Sequence, residues 1–238
     1  MSLILCIETG TDICSVALAK RGKLLSLRES EEGKNHAQNL AVFISEIFEE
    51  NNVSSEELSA VAVGMGPGSY TGLRIGVSLA KGLCYADNIP LIGIGSLESL
   101  AMVALEDYHA GLLDITDIDT AMLCPMIDAR RMEVYAGVYN KKIEPVFPVG
   151  AYIIDENSFT QLPDEHEFVI FGNGAAKCEK VLKREKLLYF DVQPSARGMV
   201  ALAAKAFENK KFEDLAYFEP LYLKDFVAGV SKKNLLAK

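Results

Sequence analysis

Ala60-Val61-Ala62-Val63-Gly64-Met65-Gly66-Pro67-Gly68-Ser69-Tyr70-Thr71-Gly72-Leu73-Arg74-Ile75-Gly76 carries the plan of this chain. It reads as a short apolar strand, a glycine-rich turn and the start of a helix. Val61 and Val63 suit a pleated strand. Gly64, Gly66 and Gly68 reach backbone angles other residues avoid, while Pro67 fixes one angle and removes a donor. Ser69 or Thr71 can cap the helix, which runs to about Ala86. Along it Gly72, Gly76 and Ala80 recur every fourth residue, on one face with almost no side-chain volume. Something must come close to that face: a phosphate at the turn, a neighbouring helix or another protein.

The frame around this stretch is large enough for a core. The chain has 238 residues, half of them hydrophobic, and a net charge of −9. That length and composition predict an ordered protein of one large domain or, in preference, two small ones. The polar segment 107–120 sets the boundary, with 1–106 in the first and 107–238 in the second. The charge is uneven: residues 1–119 carry 7 Lys/Arg and 17 Asp/Glu, residues 120–238 carry 17 and 16. An acidic first half repels nucleic-acid phosphates, so work on nucleic acid would go through a partner. The cysteines (Cys6, Cys14, Cys84, Cys124, Cys178) are odd in number and form no CxxC pair, which points to a reducing compartment. No apolar run reaches the ~18 residues of a membrane span, and the N-terminus has no signal-peptide pattern. A cytoplasmic location, away from membranes, is expected.

Upstream of the glycine turn, Leu3–Ile7, Cys14–Ala19 and Leu24–Arg28 read as a meander of three strands. Its first turn collects Glu8, Thr9, Thr11 and Asp12. Such a turn can face a phosphate or a metal, or simply bond to itself. His36 to Asn51 has Leu40, Phe43, Ile44, Ile47 and Phe48 at helical spacing. His36 itself reads as a capping or interface residue. The other histidines, His109 and His166, are too far away in sequence for ligand-like spacing.

Downstream, Leu91–Ile94 is a strand and Ser96 is expected to cap a helix through about Leu105. The meander pattern then recurs. Ala121–Ile127 and Glu133–Tyr139 flank the polar turn Asp128-Ala129-Arg130-Arg131-Met132, and a third strand lies around 145–154. Phe168–Phe171 is a strand, followed by Gly172-Asn173-Gly174-Ala175 and a predicted helix from Ala176 to about Lys186. Pro194-Ser195 opens the last helix, to about Lys210. Pro220–Leu223 is extended, and Ser231–Lys238 reads as a loose end. Strands alternating with helices predict mixed sheets with helices packed on them.

The chemistry is sparse. The glycine turn is neither a Walker A loop nor GxGxxG, because no Gly-Lys-Ser/Thr closes it. An anion at the helix start near Arg74 competes with plain close packing. Asp128 with Arg130, and the Gly172–Ala175 turn, can border a nucleotide or be ordinary turns. No nucleophile–base set and no metal cluster emerges. The inventory is that of a nucleotide-binding framework without catalytic parts.

Together, Ile7-Glu8-Thr9, Cys14–Leu18, His36-Ala37, Gly66–Gly76, Ile127–Tyr135 and Tyr222-Leu223-Lys224 resemble the TsaB (YeaZ) family, over about Leu3 to Lys224. The resemblance implies an actin-like ATPase (ASKHA) α/β fold of two RNase H-like halves, each a five-stranded mixed sheet with helices. It implies a cytoplasmic bacterial protein needed to make threonylcarbamoyladenosine at position 37 of transfer RNAs that read ANN codons. In such a system the metal and the transfer chemistry belong to a paralogue, TsaD, and a small ATPase, TsaE, joins the complex. The TsaB-like subunit is then a non-catalytic scaffold and homodimer-former with no metal or cofactor of its own, meeting tRNA only through the complex. ATP or ADP binding stays open, at low affinity or at the partner interface. The older label of glycoprotease (M22 homologue) finds no support in these residues. Met65 stands where the family often has Arg, Tyr70 where it often has Phe, and Met132 where it often has Gly. The first removes an anion contact. The last leaves open the turn type after Asp128, because Gly commonly supplies positive φ there.

Two expectations follow. The helix over 69–86, beside that over 36–51, presents its small face to TsaD or a second copy, through His36, Leu40, Tyr70, Gly72, Leu73, Gly76 and Ala80. On that reading Gly76→Leu or Ala80→Leu blocks assembly without unfolding the subunit. The alternative is a nucleotide-dependent transferase or hydrolase using Glu8, Thr9, Asp128, Arg130, Gly172 and Gly174 in the cleft between halves.

Overall fold

The computed structural model describes residues 2–30 and 35–224. The expected loose end, 231–238, lies outside them. The first sheet is built from β1 (Leu3–Glu8), β2 (Cys14–Lys20), β3 (Lys23–Ser30), β4 (Ala60–Gly66) and β5 (Leu91–Gly95) in the order β3-β2-β1-β4-β5. β1 pairs antiparallel with β2 and parallel with β4. The second sheet repeats this plan with β6 (Met122–Asp128), β7 (Glu133–Tyr139), β8 (Pro145–Ile153), β9 (Phe168–Phe171) and β10 (Leu187–Phe190), ordered β10-β9-β6-β7-β8.

Side-chain alternation along the strands sends apolar residues to both faces. Leu3, Leu5 and Ile7 of β1, with Val61 and Val63 of β4, face α1 (His36–Asn51) and α2 (Tyr70–Asp87). Ile4, Cys6, Ala60 and Ala62 face the other way, onto Met199, Val200 and Ala203 of α4 (Met199–Glu208). In the second half Leu123, Ile127 and Val169 meet Leu97, Leu100 and Ala104 of α3 (Ser96–His109). The halves therefore exchange helices: α3 follows the first sheet in sequence but packs on the second, and α4 does the reverse. The expected boundary at 106/107 falls inside α3. Ser99 Oγ donates to the Ser195 carbonyl, and Arg197 binds Glu106 and Asp107 at 2.9 and 2.7 Å, joining the exchanged elements.

The outer face of the second sheet departs from expectation. The predicted helix over Ala176–Lys186 is a series of turns. The N–H groups of Cys178 and Glu179 donate to Ala175, and those of Val181 and Leu182 to Cys178, so the ladder restarts instead of propagating. Ala175, Cys178 and Leu182 still bury themselves on the sheet with Phe159. β10, a strand beyond those expected from the sequence, follows directly. The second half thus has turns where the first has α1 and α2.

From Glu213 the chain returns to the first half. Its N–H donates to Leu91 O at 2.9 Å on the free edge of β5. Phe218 enters the core beside Met65, and Leu221 N–H donates to Met65 O at 2.7 Å.

Candidate docking groove and cleft turns

The glycine turn is clamped from within. Ser69 N–H donates to the Gly10 carbonyl at 2.6 Å, and Ser69 Oγ accepts from Gly72 N–H as the helix cap. The Gly66–Pro67 peptide is cis. A Cβ at Gly68 would lie 2.2 Å from Gly10 O, one at Gly72 2.0 Å from Thr9 O, and one at Gly76 2.3 Å from Thr9 Oγ1. The close neighbour demanded by the small face is therefore the turn after β1 of the same chain. Gly72, Leu73, Gly76 and Ala80 are buried inside the subunit, which corrects their assignment as an exposed docking face. The substitutions Gly76→Leu and Ala80→Leu would strike the core and cannot serve as interface probes.

The opposite side of α2 is open. Tyr70, Arg74, Ile75, Ser78 and Leu79 face Ala37, Leu40 and Ala41 of α1 across a mostly apolar groove of about 700 Å³. Of the expected contact residues, Leu40 and Tyr70 line this groove. His36 is buried, its Nε2 2.9 Å from the Thr11 carbonyl, and anchors α1 to the first turn. Sequence reading missed Ala37, Ala41, Ile75, Ser78 and Leu79 as groove residues. The signal was present in the spacing of Arg74 and Ser78, which lie on the helix face opposite Gly72 and Gly76. Arg74 caps the groove end: its guanidinium sits 4.1 Å from the Tyr70 ring centroid and donates to Tyr222 Oη at 3.0 Å. The Tyr222 hydroxyl holds the Arg74 pKa above its usual value.

The cleft residues separate into two groups. Glu8 and Thr9 are buried at the end of β1. The Glu8 carboxylate accepts from Gly10 N–H at 2.7 Å and from Ser96 Oγ at 3.0 Å, in the space left by the missing side chain of Gly64. Burial raises its pKa, against the lowering pull of the Gly10 and Ser96 hydrogen bonds. The Ser96 hydroxyl thus serves Glu8, and the N-cap of α3 is Gly95.

Asp128, Arg130, Gly172 and Gly174 come together at the ends of β6 and β9. Asn173 Oδ1 accepts from Asp128 N–H at 2.9 Å, and Gly174 N–H donates to Met126 O at 3.0 Å. Gly172, at φ +99°, lies so close to the Met126 carbonyl that no side chain fits there. Lys177 binds the Asp128 carboxylate and donates to the Glu133 carbonyl at 2.7 Å. The positive φ after Asp128 is taken by Arg130 and Arg131, at 74° and 52°, which resolves the turn that Met132 had left open. Among the described residues no three His, Cys, Asp or Glu side chains cluster as metal ligands. Nor is any described helix long and apolar enough to cross a membrane.

Two sheets of one repeated topology and exchanged helices define a two-lobed α/β protein of the actin-like ATPase class. A family model described as "TsaD: tRNA N6-adenosine threonylcarbamoyltransferase" matches residues 30–232. The "tRNA threonylcarbamoyladenosine biosynthesis protein TsaB" of Escherichia coli K12 is 30% identical over 232 residues, 94% of this chain and 96% of that one. Its Haemophilus influenzae counterpart is 29% identical over 236 residues, 94% of each chain. The solved structure of YeaZ from Pseudomonas aeruginosa matches with a TM-score of 0.77 at 26% identity, over 94% of this chain and 100% of that one. The chain belongs to the TsaB (YeaZ) family.

Proposed function

We propose that this chain serves the formation of threonylcarbamoyladenosine in tRNA as a non-catalytic subunit that docks a TsaD-type threonylcarbamoyltransferase. The names of its relatives support the pathway. The docking role rests on one observation, the open apolar groove between α1 and α2. Two parallel features favour it. Among the described residues the second half has turns where the first has α1 and α2, and the groove is lined by both of those helices, with the fully buried Leu40 at its base. A partner helix laid between α1 and α2 would complete a helical layer, and a standard interface would bury about 1,600 Å² in total. The match to a TsaD family model supports a partner of the same two-lobed build. Without that partner, a second copy of the chain would take the groove. A TsaE-type ATPase and tRNA would then join through the assembled pair, in the cytoplasm.

The test is co-purification with the TsaD-type and TsaE-type proteins of the same organism, with mass measured by light scattering. A defined complex with the TsaD-type protein is expected, and modification of tRNA that fails when this chain is omitted. A TsaD-type protein that modifies tRNA fully without it would overturn the proposal.

A second reading, a nucleotide-dependent transferase or hydrolase, is favoured by the meeting of the Asp128 and Gly172–Gly174 turns. Against it, both Glu8 oxygens are buried and already accept hydrogen bonds, so this carboxylate is not free to act in the cleft. Purified chain with Mg²⁺ and ATP or ADP separates the readings: turnover at the rate of a working ATPase supports the second, binding without turnover the first.

A further inference from the structure

The last described residues do more than finish the fold. From Glu213 to Lys224 the chain touches, in succession, β5, α2, the glycine turn, the end of the groove and the second half. Lys81 of α2 donates to the Ala216 and Phe218 carbonyls at 3.1 and 3.2 Å. Leu221 N–H donates to Met65 O at 2.7 Å, and its carbonyl oxygen lies 3.1 Å from where a Gly66 side chain would begin. Tyr222 packs against Tyr70 with ring centroids 5.1 Å apart and planes tilted by 40°, and accepts from Arg74, so it fixes two groove residues at once. Two residues on, Lys224 pairs with Glu133. Glu133 opens β7, its carbonyl accepts from Lys177, and Lys177 holds Asp128.

We propose that residues 213–224 form a clasp coupling the end of the α1–α2 groove to the Asp128–Glu133 turn of the second half. Clasped, the tail holds Tyr70 and Arg74 against Tyr222 and ties both halves together across the glycine turn. Released at Lys224, it loses its hold on the second half and its closing contacts on the first loosen. Resting on the docking role proposed above, the clasp also sets partner affinity, because Tyr70 and Arg74 shape the groove end. Its anchors differ in strength. The exposed Lys224–Glu133 pair is a light contact. The backbone bond to Met65 and the ring contact with Tyr70 are the firmer ones.

Amide exchange of the isolated full chain tests the clasp without any partner. Glu133→Gln lies away from the groove and removes only the charge that meets Lys224. It is expected to speed exchange of the Leu221 amide by about two- to five-fold, as befits one exposed ion pair. Tyr222→Ala is expected to speed it further and to leave Glu133→Gln with no added effect, since the two act through one segment. Unchanged Leu221 exchange in Glu133→Gln, or effects of the two variants that simply multiply, would overturn the clasp. The docking role is read separately, from the affinity of a groove-blocked variant for the TsaD-type protein. Failure there leaves the exchange result to decide the clasp by itself.

Discussion

Thr9 and Gly76 share one space: the Thr9 hydroxyl stands 2.3 Å from the point where a side chain at position 76 would begin. Gly76→Ala should therefore destabilise the subunit, by about 1–3 kcal/mol for overpacking. Gly72→Ala should cost at least as much, because its obstacle is the Thr9 carbonyl of the backbone. Thr9→Ala removes the hydroxyl but not the carbonyl. It should restore part of the loss at position 76 and none at 72. Urea unfolding of the single and paired variants checks this.

The buried Glu8 makes a pH prediction. Its folded pKa is raised above the ordinary 4.5, chiefly by burial. The native state then keeps a proton that the unfolded chain has lost, so this group's contribution to stability falls as pH climbs from 4.5 through the raised value. Glu8→Gln carries no such titration. Its stability relative to the natural chain should rise with pH across that window and level off above it. A difference that stays constant with pH, or falls, would remove the buried charge from the account.

Arg197, in the turn that leads into α4, ties that turn to Glu106 and Asp107 of α3. Burial raises the Glu106 pKa, and Arg197 opposes that rise. Arg197→Met should cost about 1–2 kcal/mol, because it strands partly buried carboxylates. Adding Glu106→Gln should recover some of the loss, which a double-mutant cycle in thermal unfolding would show.

Much of this architecture was legible in the sequence, for physical reasons. The apolar run Leu3–Ile7 and its recurrence in Ala121–Ile127, each followed by a polar turn and a returning strand, mark two sheets of one plan. The stripe of Gly72, Gly76 and Ala80 required a close neighbour, but a stripe says nothing about who that neighbour is. Thr9 fills it, so the docking surface proposed above lies on the opposite side of the same helix. Ala175, Cys178 and Leu182 have helical spacing, yet three-residue turns satisfy that spacing as well. The tail was legible only as extended, since Phe218, Leu221 and Tyr222 are placed by partners remote in sequence. Glu8 and Asp128 looked alike as polar residues at strand ends. Only the fold separates the one sealed beneath Gly64 from the one facing solvent.

The groove itself admits the most direct test. Ala41 is exposed on α1 and lines the groove, and Ala→Arg costs little in a helix. Ala41→Arg should leave the melting temperature near that of the natural chain and fill the groove with a charged side chain. Its affinity for the TsaD-type partner, measured by isothermal titration calorimetry, should drop by about tenfold or more, the effect of ~1.4 kcal/mol. Unchanged affinity in a folded Ala41→Arg variant would contradict the assignment of the α1–α2 groove as the docking site.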